Sequence, residues 1–204
     1  MLNAEDLCSI KKTPTHKNLT LKTLQEFYYK YLCNCCFVYK VDDPTVDEIQ
    51  LRFTEGNFCH LLGIHGIMAN TRDSHLYKGK SGYRLVEDGT VTLDYLKKHG
   101  KANYGEYKKR IFTFPFAYQI IHNPTVIEYV PNIGSRISAN HLMYDYFDSK
   151  YLHLAIRRSN KNNYYHPITY LQKNHKRHFI DGRKELNVIS TDIRYDFILS
   201  QQAK

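Results

Sequence analysis

Asn57-Phe58-Cys59-His60-Leu61-Leu62-Gly63-Ile64-His65-Gly66-Ile67-Met68 is the most apolar run of a basic chain, yet it carries two histidines. Phe58, Leu61, Leu62 and Ile64/His65 recur at helical offsets. That spacing predicts one helix buried on most sides, with Asn57 as the N-cap accepting from the first free amides. Five residues amount to about 500° of helical rotation, so His60 and His65 are expected well apart around the helix and unable to share a metal. One would then face a cleft while the other packs. The competing reading is a core helix whose histidines are both satisfied by hydrogen bonds.

Working outward, the N-terminal side of this run is mixed in character. Residues 1–17 are polar and basic and read as a flexible arm or a short helix before the folded body. From Thr20, Leu21, Leu24, Phe27/Tyr28 and Tyr31/Leu32 keep helical spacing while Lys22, Gln25, Glu26 and Lys30 occupy other faces, which predicts an amphipathic helix. Cys35 to Val41 is β-rich, Asp42-Asp43-Pro44 is turn chemistry, and Ile49, Leu51 and Phe53 alternate with polar residues as in a half-buried strand. On the other side, residues 70–90 lack apolar periodicity until Tyr83 and read as a mobile loop. Its Lys78-Gly79-Lys80-Ser81-Gly82 centre is not a phosphate-binding P-loop, because position 74 is Ser where the first glycine is required. Thr92 caps a short helix through Lys98, and a further helix spans Tyr104 to Phe116, ending near Pro115.

From Thr125 the period changes from 3.6 to 2.0. Strands are expected at 125–130, 137–147, 151–157, 164–171 and 185–195, with Asp148-Ser149-Lys150 and Ser159-Asn160-Lys161-Asn162-Asn163 as hairpin connections. The fold class that follows is α+β, with N-terminal helices packed on a mainly antiparallel C-terminal β-sheet. The expected division is an arm over 1–17 and a single domain over 18–204, helical from 18 to 118 and a β-meander from 125 to 196.

The chain's 29 Lys and Arg against 20 Asp and Glu give a net charge of +9, and 11 His can add to it near pH 6. Such a balance favours a polyanionic partner. Eighteen Tyr and 10 Phe with no Trp supply rings that stack and hydroxyls that stay wet. Three of the five cysteines crowd at 33, 35 and 36, unlike the paired spacing of a tetrahedral zinc site, so no metal or cofactor is expected. No segment approaches the ~20 apolar residues of a membrane span, and the expected setting is the cytoplasm, with reduced thiols.

Taken together, the N-F-C-H-L-L-G-I-H run, Lys109-Arg110-Ile111 and the late Tyr165-His166-Pro167-Ile168-Thr169-Tyr170-Leu171 resemble the phage-associated nucleases described as barnase-EndoU-colicin-RelE-like. The resemblance runs over roughly residues 20–195. It implies a helical part on an antiparallel sheet and metal-independent RNA cleavage. Residue by residue it puts His60 and His65 at the histidines of the first motif, Arg110 at the arginine before an apolar residue, and Thr169 at the hydroxyl of the last strand, where serine is more usual.

Metal-free RNA cleavage needs a base for the attacking 2′-hydroxyl, an acid for the leaving 5′-oxygen, and cations for the phosphorane. His60, His65 and His153 are the candidate proton carriers, Arg110 and Lys80 the cations, and Thr169 the hydroxyl donor. Lys108, Lys109 and Tyr170 are candidate RNA contacts, the last as a stacking ring. The expected function is therefore an endoribonuclease acting on single-stranded or structured cellular RNA, as a phage- or mobile-element-associated toxin or effector. A neutralising antitoxin or immunity protein fits that role, since an active cellular ribonuclease must be restrained. The alternatives are a non-catalytic RNA- or DNA-binding protein, for which charge and tyrosines suffice, and an interaction partner of an acidic host protein.

Overall fold

A computed structural model describes residues 1–33, 35–131, 137–174 and 180–195. Thr20 opens α1 (Leu21–Tyr28), its hydroxyl accepting from the Thr23 amide at 3.0 Å. Two strands come next, β1 (Cys35–Asp42) and β2 (Glu48–Arg52). Five helices follow: α2 (Glu55–Leu61), α3 (Ile64–Ile67), α4 (Gly79–Glu87), α5 (Leu93–His99) and α6 (Lys101–Thr113). Pro115 separates α6 from α7 (Phe116–His122), after which the chain is β: β3 (Thr125–Glu128), β4 (His141–Phe147), β5 (Lys150–Arg158), β6 (Tyr164–Lys173) and β7 (Glu185–Tyr195).

The expected open, mainly antiparallel C-terminal sheet is corrected here. The strands form one closed barrel in the order β1-β2-β6-β5-β4-β3-β7, with β7 returning to β1. Its sheet is mixed, because β2 runs parallel to β6 at Gln50–Tyr164 and Leu51–Tyr165. The early segments were legible as strands, but their place was not. Cys35 to Tyr39 are buried in succession, on both faces, and such a strand requires partners along both edges. The C-terminal strands supply them, so the sheet draws on both halves of the chain.

Two further expectations give way. The segment expected as a mobile loop contains α4, and its glycine has a packing reason: a Cβ at Gly82 would sit 2.7 Å from Cys59 Sγ and from the Tyr77 carbonyl carbon. Only glycine lets α4 lie this close to α2. The arm over 1–17 is held to the body. Leu7 is fully buried, Gln119 donates to the Ile10 carbonyl at 2.8 Å, and the Thr13 amide donates to Asp148 at 3.1 Å. The last part of the expected domain, 196–204, lies outside the described residues.

The main core joins the helices to one face of the strands, through Phe27, Tyr28, Phe58, Phe114, Leu154 and Tyr170 among others. A smaller cluster of Ile127, Leu142, Ala155 and Ile180 covers the other face. Buried tyrosine hydroxyls tie the two layers at helix ends, Tyr39 donating to the Ile121 carbonyl at 2.8 Å and Tyr170 to the Thr113 carbonyl at 2.7 Å. Carbonyls at helix ends lack helical partners, so each such bond satisfies two groups at once. Among the described residues no helix is long and apolar enough to cross a membrane.

Candidate active site

The central apolar run is two helices, not one. Thr54 is the N-cap of α2, and Asn57, three residues on, reaches back: its Oδ1 accepts from the Thr54 amide at 2.9 Å and from the Thr54 hydroxyl at 2.8 Å. Gly63 then adopts φ +77°, which ends α2 and re-aims the chain into α3. With the helix broken between them, His60 and His65 do not diverge by 500°. Their rings stack, 4.3 Å between centroids and 20° between planes. His65 Nδ1 lies 3.4 Å from the Cys59 carbonyl, and His60 has a backbone hydrogen bond at Ile168 on β6.

Both glycines of this run also make room for α6. A Cβ at Gly63 would lie 2.8 Å from Tyr107 Cδ1, and one at Gly66 would lie 2.6 Å from Tyr107 Cζ. The close approach brings Arg110 beside the histidines. Its guanidinium lies 5.1 Å from the Tyr107 ring centroid, and Nη1 reaches toward Thr169 Oγ1 at 3.5 Å.

These elements border a cleft of about 400 Å³ lined by Asn57, His60, His65, Lys78, Arg157 and His166, with Pro167 and Ile168 as apolar wall. Arg157 and His166 are register partners on β5 and β6, so they present to the same face of the ribbon. No carboxylate lines the cleft. Its electrostatics follow. Loss of hydration against the cleft wall, with the charges of His65 and Arg110, lowers His60 to about 4. Burial, Arg110 and Lys78 lower His65, and burial with Arg157 lowers His166. All three histidines rest neutral at pH 7 inside a cationic wall, ready for an anion. Among the described residues no three His, Cys, Asp or Glu side chains stand close enough together to hold a metal.

Of the residues singled out in the sequence, His60 and His65 line the cleft, and Arg110 and Thr169 adjoin the histidines without entering its lining. The structure does not bring the others there. His153 is 1% exposed, stacked on Tyr144 and held near a pKa of about 4 by burial. Tyr170 is fully buried with its hydroxyl engaged, so no ring face is open to a base. Lys80 is 3.9 Å from Glu55 and outside the cleft lining. Lys108 and Lys109 line a different cavity of about 470 Å³, with Lys97, Tyr104 and Phe112. Three cleft residues were missed as candidates. His166 sits inside the late motif, directly before Pro167, where a histidine beside a motif hydroxyl was a usable signal. Lys78 was passed over with the rejected P-loop, and Arg157 carried no signal beyond its charge.

Neither the curated proteins nor the solved structures compared with the chain provide a match. The model of one family does match, over residues 20–200, which takes in every element from α1 to β7 and all of the cleft. The chain belongs to the phage-Barnase-EndoU-ColicinE5/D-RelE like nuclease 4 family, a phage-associated nuclease group whose substrate is nucleic acid.

Proposed function

We propose that this nuclease is a metal-independent endoribonuclease that cleaves by attack of a 2′-hydroxyl on the adjacent phosphate. The observation that carries the reading is the stacked His60–His65 pair lining one cationic cleft together with His166, Lys78 and Arg157 and without carboxylates. Displacement at phosphorus sets the attacking and leaving oxygens on opposite sides, so base and acid belong on opposite walls. His60, neutral at rest, is suited to accept the 2′-hydroxyl proton. Binding of the anionic phosphate lets His166, on β6, take a proton from solvent, which it then delivers to the leaving 5′-oxygen while His60 keeps the proton from the 2′-hydroxyl. His65 stacks behind His60 and fixes its ring. Arg110, Arg157 and Lys78 meet the phosphorane charge, and Thr169 orients Arg110.

In that role the protein serves as a phage- or mobile-element-borne toxin or effector in the cytoplasm, where its RNA lies, and a neutralising antitoxin or immunity protein would cover the His60 cleft. The test is incubation of purified protein with total RNA in excess EDTA. Cleavage leaving 2′,3′-cyclic phosphate ends is expected. Salt-dependent binding with no cleavage at any metal concentration would replace the reading by the non-catalytic one.

A further inference from the structure

The β5–β6 hairpin carries a second cavity, about 520 Å³, lined by Asn140, Arg157, Arg158, Ser159, Lys161 and the asparagines at 160, 162 and 163. It continues from the catalytic cleft, since Arg157 lines both. Three of its amides are oriented by the protein itself. Asn140 Oδ1 accepts from the Arg158 amide at 2.7 Å, Asn163 Oδ1 from Arg158 Nη2 at 3.0 Å, and Asn162 Oδ1 from the Tyr164 amide at 3.2 Å. In each case the partner can only donate, so the amide oxygen must be the bonded end, and each –NH₂ is the end left over. Arg157, Arg158 and Lys161 add donors that never accept, and no carboxylate is present. Apart from Ser159 and Asn160, the lining side chains therefore have mainly donors to offer a ligand, complementary to an edge rich in acceptors.

We propose that this hairpin cavity is the base-reading subsite of the enzyme and selects guanine at a nucleotide flanking the cut. The inference rests on the ribonuclease reading above and adds its specificity. Guanine is the base with two neighbouring acceptors, N7 and O6, on one edge, whereas adenine places an –NH₂ donor beside N7. An unpaired nucleotide splayed from the strand exposes that edge, as single-stranded RNA recognition requires. Arg158 is positioned for it, because its backbone amide and one guanidinium nitrogen are already held by Asn140 and Asn163. Lys161 is exposed on the same lining, where its ammonium can meet a phosphate.

Asn140→Asp with Asn163→Asp keeps the oxygen that each intramolecular bond uses and turns the outward donor into an acceptor. Sequencing of cut ends from a random RNA pool should show guanine enriched at one flanking position for the parent protein. The double variant should lose about 10- to 100-fold in kcat/KM at guanine sites and keep its rate elsewhere, whereas Lys161→Ala should weaken all sequences alike. Because the variant could also unfold, the parent is tested with an oligonucleotide in which 7-deazaguanine removes N7, and the same loss is expected with no change to the protein. Cleavage without base preference, or a preference untouched by both changes, overturns the subsite and leaves the nuclease reading intact. Binding that prefers guanine, with no cleavage, overturns the nuclease reading and leaves the subsite. Absence of any RNA binding overturns both.

Discussion

At the scale of single residues, histidine chemistry depends on which side of a wall the ring lies. His60 lines the open cleft, so under the proposed mechanism His60→Ala takes away the base without opening a sealed void. Cleavage should fall by about 10²- to 10⁴-fold while the melting midpoint moves by no more than about 1 kcal/mol of stability. A variant that melts far below the parent yet retains its activity per folded molecule would make His60 a packing residue. His153 has the opposite character. Its folded pKa of about 4 is depressed from 6.5, so the unfolded chain binds the proton more readily than the folded one. Stability from this group is complete above pH 6.5 and is lost as pH falls toward 4, by up to roughly 3 kcal/mol. His153→Gln should flatten the urea midpoint between pH 6.5 and 4 and leave cleavage at pH 7 unchanged. A midpoint as steep in pH as the parent's would remove His153 as the acid-sensitive group.

At the scale of elements, one glycine decides whether the site exists. The apolar spacing of residues 57–68 is the same for one helix or for two, and periodicity cannot see a backbone that turns left-handed at Gly63. The residue types of the site were therefore legible, but the stacking of His60 on His65 was not. The same holds for Asn57, a good cap by type, which serves at the third position of α2 because Thr54 precedes it with an equally good hydroxyl. Gly63→Ala combines a left-handed backbone with a Cβ 2.8 Å from Tyr107. The cost should be on the order of 2–4 kcal/mol, and because Arg110 packs through the same contact, activity should fall even in the fraction that remains folded. Gly105→Ala on the exposed side of α6, where nothing lies within 4 Å, is the matched control and should stabilise slightly. Equal losses at both positions would show that helix propensity, not the break, governs this region.

At the scale of the whole molecule, the change of period at Thr125 correctly separates a helical middle from a β-rich end, but it is silent about which strands meet. Alternation reports one buried face and carries no information on edges, so an open sheet and a closed barrel read alike along β5 or β6. Only β1 carries a hint, since Cys35-Cys36-Phe37-Val38-Tyr39 is an unbroken apolar run that the structure buries in succession. Closure is directly measurable. Residues 36–40 of β1 pair with β2 on one side and β7 on the other, so their amides alternate between two partners and none points to solvent. In an open sheet with β1 at the edge, every second amide would exchange in minutes. The barrel predicts that the amides of Phe37, Val38, Tyr39 and Lys40 all exchange slowly and with similar free energies, close to that of global unfolding. An alternating fast and slow pattern along these four residues would mean that β7 does not close on β1, and that the nuclease cleft is built on an open sheet after all.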